Sequence, residues 1–369
     1  MERICVRYGA SFFDDAPIAL VEQGAFKATA LKYSTGVCGV KLENGCCSMV
    51  LLPYHGHQLW FAEFNGKNLT QKSIFDVPQM TKKFGDNYGG LLLHCGLSAM
   101  GNPGPEDSHP MHGELPFATY TDNYVALDED ENGRYLAAGG TFHYRNSQEF
   151  DYLYKPEVRI YEGSTVARMF ITVDNLRCHD MKYMYMCHMN WRAVDGSRVL
   201  ATVPCDAEHM IVDPTDLGDD SPRAKAVMDF SKQLIANPAL AQKLDEKTQC
   251  YDPEICTDMR VIGDEHNWAH ALQVMPDGDA CYVGFRRDEL PNALRWVCRT
   301  GDEDGIGIAL PNTGNHKGYT WNKKHGFLRT IPAHGSISMR FNFGYLAPAE
   351  AKKMEQHIAD VLKAYESKQ

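Results

Sequence analysis

Short runs rich in β-branched and aromatic residues recur along most of this chain, each bounded by Gly, Asn, Asp or Pro. Early examples are residues 37–42, 47–52, 91–95, 124–127 and 135–144. The series continues at 157–161, 167–173, 182–189, 259–262, 269–274, 280–285, 294–299, 307–310 and 336–345. Many short strands at even spacing predict an all-β, mainly antiparallel sandwich or barrel rather than βαβ units. Two helical patches interrupt the pattern. Residues 221–247 carry Ala224, Val227, Phe230, Leu234, Leu240 and Leu244 at near-helical spacing, broken at Asn237-Pro238. Residues 348–367 place Met354, Ile358, Val361, Leu362 and Tyr365 on one face and predict a C-terminal helix. With no low-complexity linker and no internal repeat, residues 1–369 are expected to form one domain.

Charge and cysteine use narrow the function. A net charge of −11 argues against nucleic acid as a partner, because phosphate binding needs a basic face. The twelve cysteines are scattered, many within apolar runs, and form no CxxC pair. They read as free thiols in a reducing compartment rather than as a zinc or disulfide framework. The opening MERICVRYGA has no apolar core, and no run reaches about 18 apolar residues. The expectation is a cytoplasmic protein with no signal peptide and no membrane partner.

Three segments concentrate chemistry. Residues 88–117 run from a strand into a Gly/Pro-rich loop that carries His94, Glu106, Asp107, His109, His112 and Glu114. Loops held by strands are where functional side chains concentrate. In YMYMCHMNWR, strand alternation puts Tyr183, Tyr185 and Cys187 on one face and Met184, Met186, His188 and Asn190 on the other. The third segment, residues 280–315, offers Arg286, Arg287, Trp296 and Asn315, a set able to clamp a polar ring by hydrogen bonds and stacking.

In order, LLPYHGHQLWFAEFNGKNL, HCGLSAMGNPG leading to His112-Gly113, YMCHMNW and FRRDELPNALRW…GIGIALPNT resemble the galactose mutarotase-like superfamily, in its less characterised aldose-1-epimerase-like branch. The resemblance covers roughly residues 35–345 and implies a large antiparallel β-sandwich with a sugar in its concave face. It also implies ring opening and reclosure at the anomeric carbon, using a base at the anomeric hydroxyl and an acid at the ring oxygen. No cofactor and no metal are required for such proton transfers. On the matching positions His188 would be the acid and His112 a partner at the sugar oxygens. His94, Asn190, Trp191, Arg286 and Trp296 would be substrate contacts. The family's general base is a Glu on a late strand, and Leu310 stands at that position here. Glu114 or His316 would then have to supply the base. Two other readings stay open: a sugar lyase or other C–H-acid enzyme on the same scaffold, in one variant with a metal on His94, His109, His112 and His188, or a non-catalytic sugar-binding protein.

Overall fold

Antiparallel pairing organises the chain almost throughout in the computed structural model, which describes residues 3–368, with 45% of residues in strands and 15% in helices. The chain divides into two compact units. The first comprises Met1–Thr70, Phe75–His188 and Thr313–Phe341, and the second Gln71–Ile74, Met189–Asn312 and Asn342–Gln369.

The first unit is a β-sandwich. One sheet sets the strands Ile4–Arg7, Thr121–Asp130, Gly133–Asn146, Phe150–Tyr161 and Val166–Asn175 side by side. The other runs from Met181–Met189 through Leu92–Leu97, Gln58–Phe64, Cys47–Leu52, Cys38–Glu43 and Phe26–Lys32 to Ile18–Gln23. Strand Phe150–Tyr161 alternates strictly for most of its length, with Tyr152, Tyr154, Val158 and Ile160 turned inward. Tyr154 reaches across to Tyr185 of the opposite sheet, ring centroids 6.2 Å apart. Strand Met181–Met189 is buried on both faces apart from Lys182, which is why it reads as a nearly continuous apolar run.

In the second unit, Trp268–Val274 pairs with Ala280–Arg286 on one side and Arg198–Ala201 on the other. Ile255–Met259 lies between Met210–Asp213 and Asn292–Arg299, and the latter pairs with Asp304–Asn312. The expected helical excursion is shorter than 221–247. Helix Pro222–Ala236 starts on Ser221, whose Oγ accepts from Ala224 N–H at 3.1 Å. It stops at Asn237 because Pro238 disfavours helical backbone in the residue before it, and only a 3-10 turn, Pro238–Gln242, follows. The C-terminal helix spans Pro348–Glu366, with Ala351, Ile358 and Val361 buried. Among the described residues no helix is long and apolar enough to cross a membrane.

Candidate active site

The His112-Gly113 pair is shaped by its backbone. His112 has φ +62° and Gly113 φ +80°, two successive left-handed residues. His112 donates its N–H to Gly101 at 3.0 Å and accepts at its carbonyl from Gly96 N–H at 2.8 Å. These bonds tie the loop back onto strand Leu92–Leu97 and fix where the imidazole emerges. Glycine is required next to it: a Cβ at Gly113 would stand 2.2 Å from Ala99 O and 2.5 Å from Gly96 O. Gly113→Ala is therefore expected to cost about 3–5 kcal/mol of unfolding free energy, read from urea denaturation. A loss below about 1 kcal/mol would show that the loop has room to move.

His188 projects from strand Met181–Met189 toward His112, with centroids 5.4 Å apart and ring planes at 90°. Phe84 and Tyr88 complete a closed circuit of four rings. Phe84 lies 5.0 Å from Tyr88 and 4.6 Å from His112, and Tyr88 lies 5.6 Å from His188. The Tyr88 hydroxyl stands 3.3 Å from His188 Nδ1 and 3.2 Å from Nε2, in contact with the ring. His112 is 8% exposed and His188 4%. Burial holds the His112 imidazole well below its usual pKa, reinforced by the neighbouring charges His188, His316 and His109. His112 is thus neutral at neutral pH. Its Nδ1 is buried with no hydrogen-bond partner among the described residues, and such nitrogens are normally satisfied by water or ligand. His316, also buried, accepts at its carbonyl from Asn102 N–H at 2.8 Å.

Glu114 sits differently. Its Oε1 accepts from the N–H groups of Leu97 (3.0 Å) and Ser98 (2.9 Å) and from the Tyr152 hydroxyl, and Oε2 accepts from Ser98 Oγ at 2.6 Å. The carboxylate anchors the backbone leading into the loop. A glutamine can reproduce this pattern, with its oxygen at Oε1 and its amide donating to Ser98 Oγ. Glu114→Gln is accordingly expected to destabilise by no more than about 1–2 kcal/mol, whereas Glu114→Ala should cost about 3 kcal/mol or more. Sugar turnover retained in Glu114→Gln would exclude Glu114 as a base. Loss of turnover in that stable variant would instead make it one.

His94, 0% exposed, is enclosed by aromatic residues. Its Nδ1 meets the hydroxyls of Tyr185 (2.8 Å) and Tyr154 (3.0 Å). Asp107 accepts from Thr320 N–H (2.9 Å) and Oγ1 (2.6 Å) and lies 3.6 Å from His109 Nε2. Asp107, His109, Glu114, Lys182 and Tyr319 help to line a cavity of about 730 Å³, whose lining does not include His112 or His188. The sequence-predicted residues His112 and His188 meet in the first unit, joined by Tyr88 and Phe84, which sequence reasoning did not single out, and His316 lies in the same unit. Tyr88 opens residues 88–117, the segment dense in His, Asp and Glu, so proximity in sequence is the available signal.

Asn190, Trp191, Arg286, Arg287, Trp296 and Leu310 belong to the second unit, and Asn315 to the first. Asn190 and Trp191 are fully buried just after strand Met181–Met189, with Asn190 O accepting from Gln71 N–H at 3.1 Å. Arg286 makes a bidentate pair with Asp288 in its own hairpin, at 2.9 and 2.7 Å. Trp296 is buried and donates Nε1–H to Glu254 at 2.5 Å. Leu310 is fully buried opposite Leu294.

Known structures share this architecture. A proposed aldose 1-epimerase from Klebsiella pneumoniae superposes with a TM-score of 0.80 at 16% identity, over 98% of this chain and 96% of that one. A galactose mutarotase-like protein from Clostridium acetobutylicum gives 0.55 at 9% identity, over 87% and 99%. Galactose 1-epimerase from Lactobacillus acidophilus gives 0.51 at 10%, over 90% and 98%. No family model and no curated sequence matches the chain. The fold is that of the galactose mutarotase-like proteins.

Proposed function

We propose that this protein is an aldose-1-epimerase-type isomerase that opens and recloses the ring of a monosaccharide or modified sugar at its anomeric carbon. The observation that carries the reading is the perpendicular His112–His188 pair, 5.4 Å between centroids, with the Tyr88 hydroxyl against His188. A base takes the proton of the anomeric hydroxyl as the bond from the anomeric carbon to the ring oxygen breaks. His188 delivers a proton to that ring oxygen, and reclosure on the other face reverses both transfers. Burial keeps His112 neutral, so this scheme assigns the transferred proton to His188 alone. Neutral His112 then serves the sugar hydroxyls through Nδ1. His316 is the base in this scheme, because the oxygens of Glu114 already accept four hydrogen bonds. The transfers are redox-neutral, so no cofactor is invoked. The reading is supported by the fold shared with a galactose 1-epimerase and by motif positions of His112 and His188. Anomer exchange measured by NMR or polarimetry across a panel of free and acidic aldoses tests it. Exchange above the buffer rate for at least one sugar is expected. Buffer-level rates across the panel would overturn it, and saturable binding without exchange would make the protein a sugar binder.

A further inference from the structure

Outside the histidine pair, a second constellation lies wholly within the second unit. Asp264 precedes strand Trp268–Val274, His270 projects from that strand, and His357 comes from the middle of helix Pro348–Glu366. Their ligand atoms lie within 4.8 Å of one another, and among the described residues no other group of three His, Cys, Asp or Glu does so. We infer that Asp264, His270 and His357 form a binding site for a divalent transition-metal ion, with zinc the expected occupant.

Several features converge on this. His270 Nε2 and His357 Nε2 each stand 3.2 Å from the same oxygen, Asp264 Oδ2. That is long for charge-assisted hydrogen bonds, which run nearer 2.7–2.9 Å. It matches ligand spacing around a tetrahedral ion: two ligands about 2.0–2.1 Å from zinc stand roughly 3.3 Å apart. The supporting contacts are those of a metal site. The other Asp264 oxygen accepts from His266 N–H and Trp268 N–H, both at 2.9 Å, leaving Oδ2 directed at the imidazoles. His270 Nδ1 meets the Tyr282 hydroxyl at 3.1 Å, which orients the ring with Nε2 inward. The two rings stand 5.0 Å apart at 77°. Two imidazoles and one carboxylate suit zinc and its neighbours rather than magnesium or calcium. Asp264 and His357 also line a cavity of about 490 Å³, which provides access and room for a water as fourth ligand. An ion here would pin the C-terminal helix to the sheet.

The test uses the full chain, stripped with chelator under reducing conditions and titrated with Co²⁺ and Zn²⁺. One equivalent of Co²⁺ should give visible d–d absorption without the near-ultraviolet band of cobalt–thiolate bonds, and zinc should displace it. Zinc at about 100-fold above its Kd should raise Tm on the order of 5 °C. His357→Gln, at a one-third exposed side chain, should fold yet bind at least about tenfold more weakly and lose the zinc-dependent rise. Asp264→Asn, which keeps the oxygen that accepts from the backbone, should behave alike. Absence of a stoichiometric equivalent, a thiolate band, or unchanged affinity in both variants would overturn the site.

Discussion

Replacing His188 by glutamine is expected to lower kcat for anomer exchange by about 100- to 10,000-fold, the usual worth of a positioned proton donor. Glutamine keeps a donor near the Tyr88 hydroxyl and approximates the volume of imidazole, so packing against Tyr88 and His112 survives. It cannot carry a transferable proton at neutral pH. KM should change only a few-fold, because His112 and the rest of the pocket still meet the sugar. Tm should stay within a few degrees of the parent, which separates lost chemistry from lost fold. Tyr88→Phe is expected to cost less, on the order of tenfold, since it removes the hydroxyl that feeds His188 rather than the acid itself. Exchange within threefold of the parent in His188→Gln would place the proton transfer elsewhere and end the proposed mechanism.

Acidification should destabilise this protein well before the carboxylates titrate. Burial pushes His57 down to about 3 and His55, aided by the charge of Lys82, down to about 4. His94 and His112 are held well below the usual imidazole range, again mainly by burial. In the unfolded chain these rings titrate near 6.5, so lowering the pH adds protons to the unfolded state first. The stability from keeping them neutral is whole above about pH 6.5 and is lost as pH falls toward the folded values. A ring that stays neutral in the fold down to pH 5 costs about 2 kcal/mol there relative to pH 7. With His57 the firmest case and the others acting in the same direction, the loss should be on the order of 5 kcal/mol. A typical domain has only about 5–15 kcal/mol in total. Urea midpoints from pH 7 to pH 5 would show the decline. His57→Asn, which tolerates the φ of 53° at that position, should flatten the slope by about 1 kcal/mol per pH unit over this range. A parent slope near zero, or one unmoved by this variant, would mean that the buried rings accept protons in the fold.

Legibility along the chain followed burial. The expected runs 47–52 and 182–189 coincide closely with Cys47–Leu52 and Met181–Met189, where both faces of the sheet are largely covered and the apolar signal is dense. Strands Ile18–Gln23 and Phe26–Lys32 carry a weak local signal, because Glu22, Gln23 and Lys27 dilute the apolar residues and the buried face of Phe26–Lys32 is mostly Ala. The expected run 259–262 instead forms as Ile255–Met259. Its position is set by pairing with Asn292–Arg299 and Met210–Asp213, which no local window contains.

The same division runs through the sites. Alternation along Met181–Met189 was enough to send His188 and Tyr185 to opposite faces, and the His112-Gly113 pair marked a backbone turn that glycine must follow. Local periodicity and turn chemistry are properties of neighbouring residues, so they are written in the primary structure. Which side chains then meet depends on strand order and register. His94 and His112 share one segment, yet one ends between Tyr154 and Tyr185 and the other beside His188 and Phe84. The sequence offers Glu114 as a candidate base but does not show that its neighbours are the backbone of Leu97 and Ser98. Asp264, His270 and His357 have no motif at all, since a loop, a strand and a distant helix supply them. Long-range packing chooses partners, and only partners convert an ionisable side chain into an acid, an anchor or a ligand.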